Sequence, residues 1–142
     1  MERKFSLVKL AIAAVMLLLP TAGLAVCDLP VSRISDGDTF HAPTKTRLSA
    51  TKHLEENSGF RLLRVYAPER KEEGYAKAKA DLVDLIGGKS VEIKFDLTGP
   101  KRDKYGRFLV NVYLCDGRKR LNVNQKMAEL GWTGSGRGVP KK

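Results

Sequence analysis

Apolar residues recur along this chain with two different periods, and the changes between them mark out the elements. Val31 to Phe40 carries apolar side chains at short intervals and contains an Asp-Gly turn signal, which predicts a strand. Phe60 to Tyr66 predicts a second strand, stopped by Pro68. Over Tyr75 to Ile86 the period changes: Ala78, Leu82, Leu85 and Ile86 fall on one helical face, and Gly87-Gly88 supplies the stop. Val91, Ile93 and Phe95 then alternate with Glu92 and Lys94 as a half-buried strand. Phe108 to Leu114 predicts another, with Asp116-Gly117 as a tight turn into a short arm. Asn124 is the expected cap of a last helix bearing Met127, Ala128 and Leu130 and closed by Gly131. Between these elements, His41–Gly59 reads as a long polar connection or an extended hairpin and Asp96–Gly106 as a polar loop, and no internal repeat is present. Short strands with a helix between the third and fourth and another at the end predict a small mixed β-barrel with helices, a mainly β α+β domain, but do not select its topology.

The N-terminus follows another logic. Arg3, Lys4 and Lys9 precede an unbroken apolar run from Leu10 to Leu19, then Pro20 and small residues as far as Ala25. This is the order of a secretory signal peptide, residues 1–25, and the run is about half of the ~20 residues a membrane span needs. Export, periplasmic or secreted, is therefore expected, with an uncleaved membrane anchor as the alternative. Residues 26–133 then form one domain, and 134–142 read as a basic disordered tail. A formal charge of +10 favours a polyanionic partner, although charge alone does not distinguish nucleic acid from other polyanions. Cys27 and Cys115 are the only cysteines, and in an oxidising compartment a disulfide between them is expected. Neither has a His or second Cys at ligand spacing, which argues against zinc and against a catalytic thiol.

Three separated segments carry candidate chemistry: Asp36-Gly37-Asp38-Thr39, Phe60-Arg61 through Pro68-Glu69, and Asp103-Lys104-Tyr105-Gly106-Arg107. Each has an ordinary explanation, as a turn, a surface ion pair or a loop cation. Together they hold what phosphodiester hydrolysis requires. Carboxylates suit a hard divalent cation, another carboxylate can prepare a water, and arginine forks match phosphate oxygens without losing charge.

In order and spelling these segments resemble the staphylococcal nuclease (thermonuclease) family, over Ile34 to Trp132. The resemblance implies an OB-fold, a five-stranded β-barrel with two to three helices. It implies a metal-dependent nuclease acting on DNA or RNA, a monomer with no stable protein partner. By the same resemblance Asp38, with Asp36 beside it, binds the metal, expected to be Ca²⁺. Arg61 and Arg107 bind the phosphate, and Glu69 is general base or water-orienting group. Tyr105, with Lys104 and Tyr66, lies on the substrate side.

One position departs from the family pattern. Tyr66 stands where the family has a metal-ligating Asp, and a phenol with pKa ~10 is a poor ligand for a hard cation near neutral pH. Glu72 or Glu73 are candidates to restore the lost charge. The rival reading is a catalytically inactive OB-fold module that binds single-stranded nucleic acid in the same groove, with Tyr66 or Tyr105 stacking on bases. A secreted structural or envelope-interaction protein would need only the tail and the disulfide, and leaves the acids and arginines without a use.

Overall fold

The structure is a computed structural model that describes residues 26–43 and 58–133. The expected signal segment, most of the His41–Gly59 connection and the basic tail lie outside the described residues.

Seven strand segments and two helices follow in order: β1 Leu29–Pro30, β2 Arg33–Asp36, β3 Thr39–Ala42, β4 Ser58–Leu62, α1 Tyr75–Ile86, β5 Ser90–Phe95, β6 Phe108–Asp116, β7 Lys119–Asn122 and α2 Val123–Glu129. The strands form one mixed sheet in the order β1-β5-β6-β4-β3-β2, with β7 added to β6. All pairs are antiparallel except β4 with β6. This is the mainly β, OB-like α+β fold, with more strand segments than the five expected and a sheet whose two ends do not pair with each other. On β2, the Ser35 carbonyl accepts from the Tyr75 hydroxyl of α1 at 2.8 Å, which ties the start of the helix to that strand.

The expected strand Val31–Phe40 is in fact two. Asp36 pairs with Thr39, so Gly37 and Asp38 form the two-residue loop of a hairpin, and the register shifts between Ile34 and Asp36. Gly37 is there for space. A Cβ on it would lie 2.5 Å from the Ala78 Cβ of α1 and 2.8 Å from that of Ala67. The hairpin tip is thereby seated directly on the helix.

The predicted strand Phe60–Tyr66 ends early, at Leu62, because the chain turns through Leu63 and Arg64, whose φ is +59°. Asn124 holds this turn and is not the predicted cap. Its buried amide donates to Leu63 O and Val110 O, each at 3.0 Å, and its Oδ1 accepts from Val112 N at 2.8 Å. The cap is Asn122, which accepts from Gln125 N at 3.1 Å. Both asparagines have the right chemistry for a cap, and only the path of β7 decides between them. Helix α1 spans the predicted residues, with Ala78, Leu82 and Ile86 buried.

Phe40, Phe60 and Phe108 stack across β3, β4 and β6, with centroids 5.2 and 5.6 Å apart, and Phe95 meets Phe108 edge-on. Leu62, Leu82, Val110, Val112 and Met127 are among the side chains that complete this core. Cys27 and Cys115 form a disulfide that ties the segment before β1 to the end of β6.

Candidate active site

At one rim of the sheet, the hairpin tip, the end of β4 and the loop before β6 meet around a cleft of about 410 Å³. Asp36, Asp38, Arg61, Pro68, Glu69, Arg70, Tyr105 and Arg107 line it.

Asp38 follows the closely packed Gly37, and its side chain is only 8 % exposed. Its Oδ2 meets Arg61 Nη2 at 3.0 Å and accepts from Ala67 N at 3.3 Å. Thr39 Oγ1 donates to Oδ1 at 2.9 Å. Burial pushes the Asp38 pKa up to about 6, against the opposing pull of Arg61 and with a further push from Asp36. Asp36 stays close to its neighbour through the Asp38 N–H, which donates to Asp36 Oδ1 at 3.2 Å.

Arg61 reaches the cleft from β4, with Nη1 on Val65 O at 3.3 Å and its guanidinium 5.4 Å from the Tyr66 ring centroid. Arg107 arrives from the opposite side. The Asp103-Lys104-Tyr105-Gly106-Arg107 spelling forms a loop wound around one carboxylate. Asp103 Oδ1 accepts from Tyr105 N at 2.9 Å and Arg107 N at 3.0 Å, while Oδ2 takes Arg107 Nε at 2.7 Å. Those bonds hold the Asp103 carboxyl below the usual range in spite of partial burial. The same geometry needs a positive φ at Gly106, +78°. Arg107 Nη1 then donates to Thr39 Oγ1 at 2.9 Å. Thr39 thus links the acidic hairpin to the far arginine, accepting from Arg107 and donating to Asp38. Each arginine spends two of its five N–H donors on the protein, which leaves the others for an oxyanion in the cleft.

Glu69 lines the cleft with an exposed side chain. Its backbone N–H donates to Glu72 Oε2 at 2.9 Å, and Glu72 N donates back to Glu69 O at 2.9 Å. Glu72 is therefore used to fix the Glu69 turn, and neither it nor Glu73 lines the cleft. Tyr66 is 42 % exposed and lies against Arg61 rather than in the lining, and Lys104 folds over the Tyr105 ring at 4.9 Å. Three contributors were not singled out from sequence. Arg70 lines the cleft, and Thr39 and Asp103 orient Arg107. Their signal was adjacency alone, each belonging to or adjoining a segment already chosen.

Among the described residues, no three acidic, imidazole or thiol groups converge to hold a metal. What is present is a pair of carboxylates at one hairpin tip, Asp38 buried and its pKa raised chiefly by that burial, with a smaller push from Asp36. That pair suits a hard cation whose remaining oxygen ligands come from water and a bound phosphate.

A small mixed β-sheet with two helices, presenting carboxylates and arginines in one open cleft, defines a class of protein equipped to hold a phosphate. The chain belongs to the staphylococcal nuclease homologue family, whose model matches residues 59–135. An Escherichia coli protein named "Uncharacterized endonuclease" is 34 % identical over 102 residues, covering 71 % of this chain and 56 % of its own length. An uncharacterized Bacillus anthracis protein is 31 % identical over 110 residues, 78 % of this chain and 48 % of its own. One from Methanocaldococcus jannaschii is 37 % identical over 62 residues, 44 % and 30 % respectively. The chain thus spans about half the length, or less, of these relatives.

Proposed function

We propose that this chain is an exported, divalent-metal-dependent nuclease that hydrolyses phosphodiester bonds of DNA or RNA. The observation that carries the reading is the meeting of Asp36, Asp38, Glu69, Arg61 and Arg107 in one cleft, from three separate segments. The family membership and the endonuclease-named relative support the same chemistry.

Asp38 and Asp36 would hold the cation, Ca²⁺ by family resemblance, which supplies Lewis-acid stabilisation of phosphoryl charge when bound. Arg61 and Arg107 donate their remaining N–H groups to the non-bridging oxygens, which carry most charge in the pentacoordinate transition state. Glu69 orients a water and takes its proton as the water oxygen bonds to phosphorus. The P–O ester bond breaks on the opposite side, the leaving oxygen takes a proton from solvent water, and Glu69 returns its proton to solvent. Tyr105, 70 % exposed beside Arg107, offers a ring face to a base or sugar next to the scissile phosphate. The N-terminal sequence and the Cys27–Cys115 disulfide support export, and the cleft as described is built by one chain.

One observation favours the binding-only reading: with Tyr66 in place of an acid, Asp38 Oδ2 is taken by Arg61. Glu69 argues against it, since a pure binder of polyanions gains nothing from an exposed acid in its cleft. Replacing Arg107 by Ala decides the assignment. Turnover is expected to fall by roughly 10²–10³-fold, the usual cost of a lost charged stabiliser. Turnover close to the unmodified protein would refute this role for the cleft.

A further inference from the structure

Beside the cleft lies a second recess of about 400 Å³, between the outer side of β2 and helix α1. Its walls carry Arg33, Arg70 and Lys79 against a single acid, Asp36, and the Tyr75–Ser35 hydrogen bond holds strand and helix at fixed separation. Among the described residues none of the three cations makes an ion pair. Arg33 is nonetheless held in place, its Nη2 at 3.0 Å from His41 Nε2, which also meets Ser35 Oγ at 2.9 Å. Asp36 and Arg70 belong to both linings, so the recess and the cleft adjoin along that shared wall.

We infer that this recess is a second phosphate site, which takes a backbone phosphate flanking the one positioned for cleavage in a polynucleotide. The inference rests on the nuclease reading and adds a substrate preference to it. Three cations facing one acid, with no ion pair to any of them among the described residues, leave the recess net positive and suited to an oxyanion. An ester with only one phosphate cannot fill both sites, whereas a longer chain passing over Arg70 fills both. The recess, open to solvent and lined mainly by cations and hydroxyl groups, suits a backbone phosphate. The protein therefore prefers longer chains, and Arg33 and Lys79 set that preference.

The test compares the full chain with Lys79→Gln, and independently with Arg33→Gln, on a dinucleotide and on a ten-nucleotide single strand. Each variant is expected to raise KM on the decamer about tenfold with kcat unchanged, while dinucleotide kinetics stay as they were. Binding of the decamer to the same variants in a Glu69→Gln background should show a log-log salt slope smaller by about 0.7, one single-strand phosphate contact. Equal losses on both substrates, or no loss on either, would overturn the second site while leaving the nuclease reading intact. If the unmodified protein cleaves neither substrate, the nuclease reading fails, and the binding slopes still judge the recess. Slopes unchanged in both variants would then overturn it.

Discussion

Asp38 has the most to lose from being ionised. It is an acid buried beneath a hairpin tip, and the guanidinium at 3.0 Å does not fully offset its desolvation and the nearby charge of Asp36. A carboxyl whose pKa rises from 3.8 to about 6 on folding binds its proton more tightly in the native state. Its ionisation therefore costs stability as pH rises from about 4 to about 6, and the cost is complete above that window. At 1.36 kcal/mol per unit, the cost is on the order of 3 kcal/mol. In chelator, Asp38→Asn should melt higher than the unmodified protein at pH 7.5, with the gain gone at pH 4. A variant less stable at pH 7.5 would show that the ion pair with Arg61 outweighs burial. Most residues of this site could be picked from sequence, because Asp36, Asp38, Arg61, Glu69, Tyr105 and Arg107 all line the cleft. Tyr66 and Lys104 could not be placed that way. Whether a side chain at the cleft edge turns inward depends on neighbours such as Arg61 and Tyr105, which are brought alongside only by the fold.

At the level of elements, two small residues position the acids and one amide holds the strands. Gly37 and Ala78 touch so closely that a Gly37→Ala change must push the hairpin from α1. Overpacking of this kind costs about 1–3 kcal/mol. It should also lower turnover more than its effect on stability would explain, because Asp36 and Asp38 move with the tip. Urea unfolding and turnover of the same variant check both, and unchanged activity would show that the tip tolerates displacement. Asn124→Leu should be costlier, since it strands Val112 N–H and the Leu63 carbonyl in the interior, while Val110 O keeps only its bond from Leu63 N. Each buried group left unpaired costs about 1–3 kcal/mol, so loss of cooperative unfolding at room temperature is the expected result. Helix α1 was legible to the residue because its apolar face repeats over three turns. The break between β2 and β3 was less so. Asp-Gly marks a turn, but which strand the chain then joins is a matter of register, carried by the Phe40–Phe60 stack across the sheet.

Taken whole, the molecule is a basic chain whose cations divide between two uses. Arg61 and Arg107 are oriented by acids, whereas among the described residues Arg33, Arg70 and Lys79 make no ion pair and face only Asp36 across the recess. A disulfide between residues 88 apart in sequence closes most of the described chain into one loop. Its reduction should cost about 2–5 kcal/mol, as for other small domains, read as a lower urea midpoint in reductant. An unchanged midpoint would mean that the segment before β1 adds little to the fold. The ends of the strand order were the least legible feature, because pairing between short segments far apart in sequence is set by register: β1 and β2, separated only by Val31 and Ser32, pair at opposite ends, with β5 and with β3.

The central claim, that this cleft hydrolyses nucleic acid, is tested most directly on residues 26–142 and their Glu69→Gln variant. Cleavage of single-stranded DNA and RNA is followed with Ca²⁺, Mg²⁺, Mn²⁺ or excess chelator. Cleavage that needs a divalent cation and falls by at least 10²-fold in the variant is the predicted result. Intact substrate with every cation, while salt-sensitive binding persists, would contradict it and leave a groove that binds without cutting.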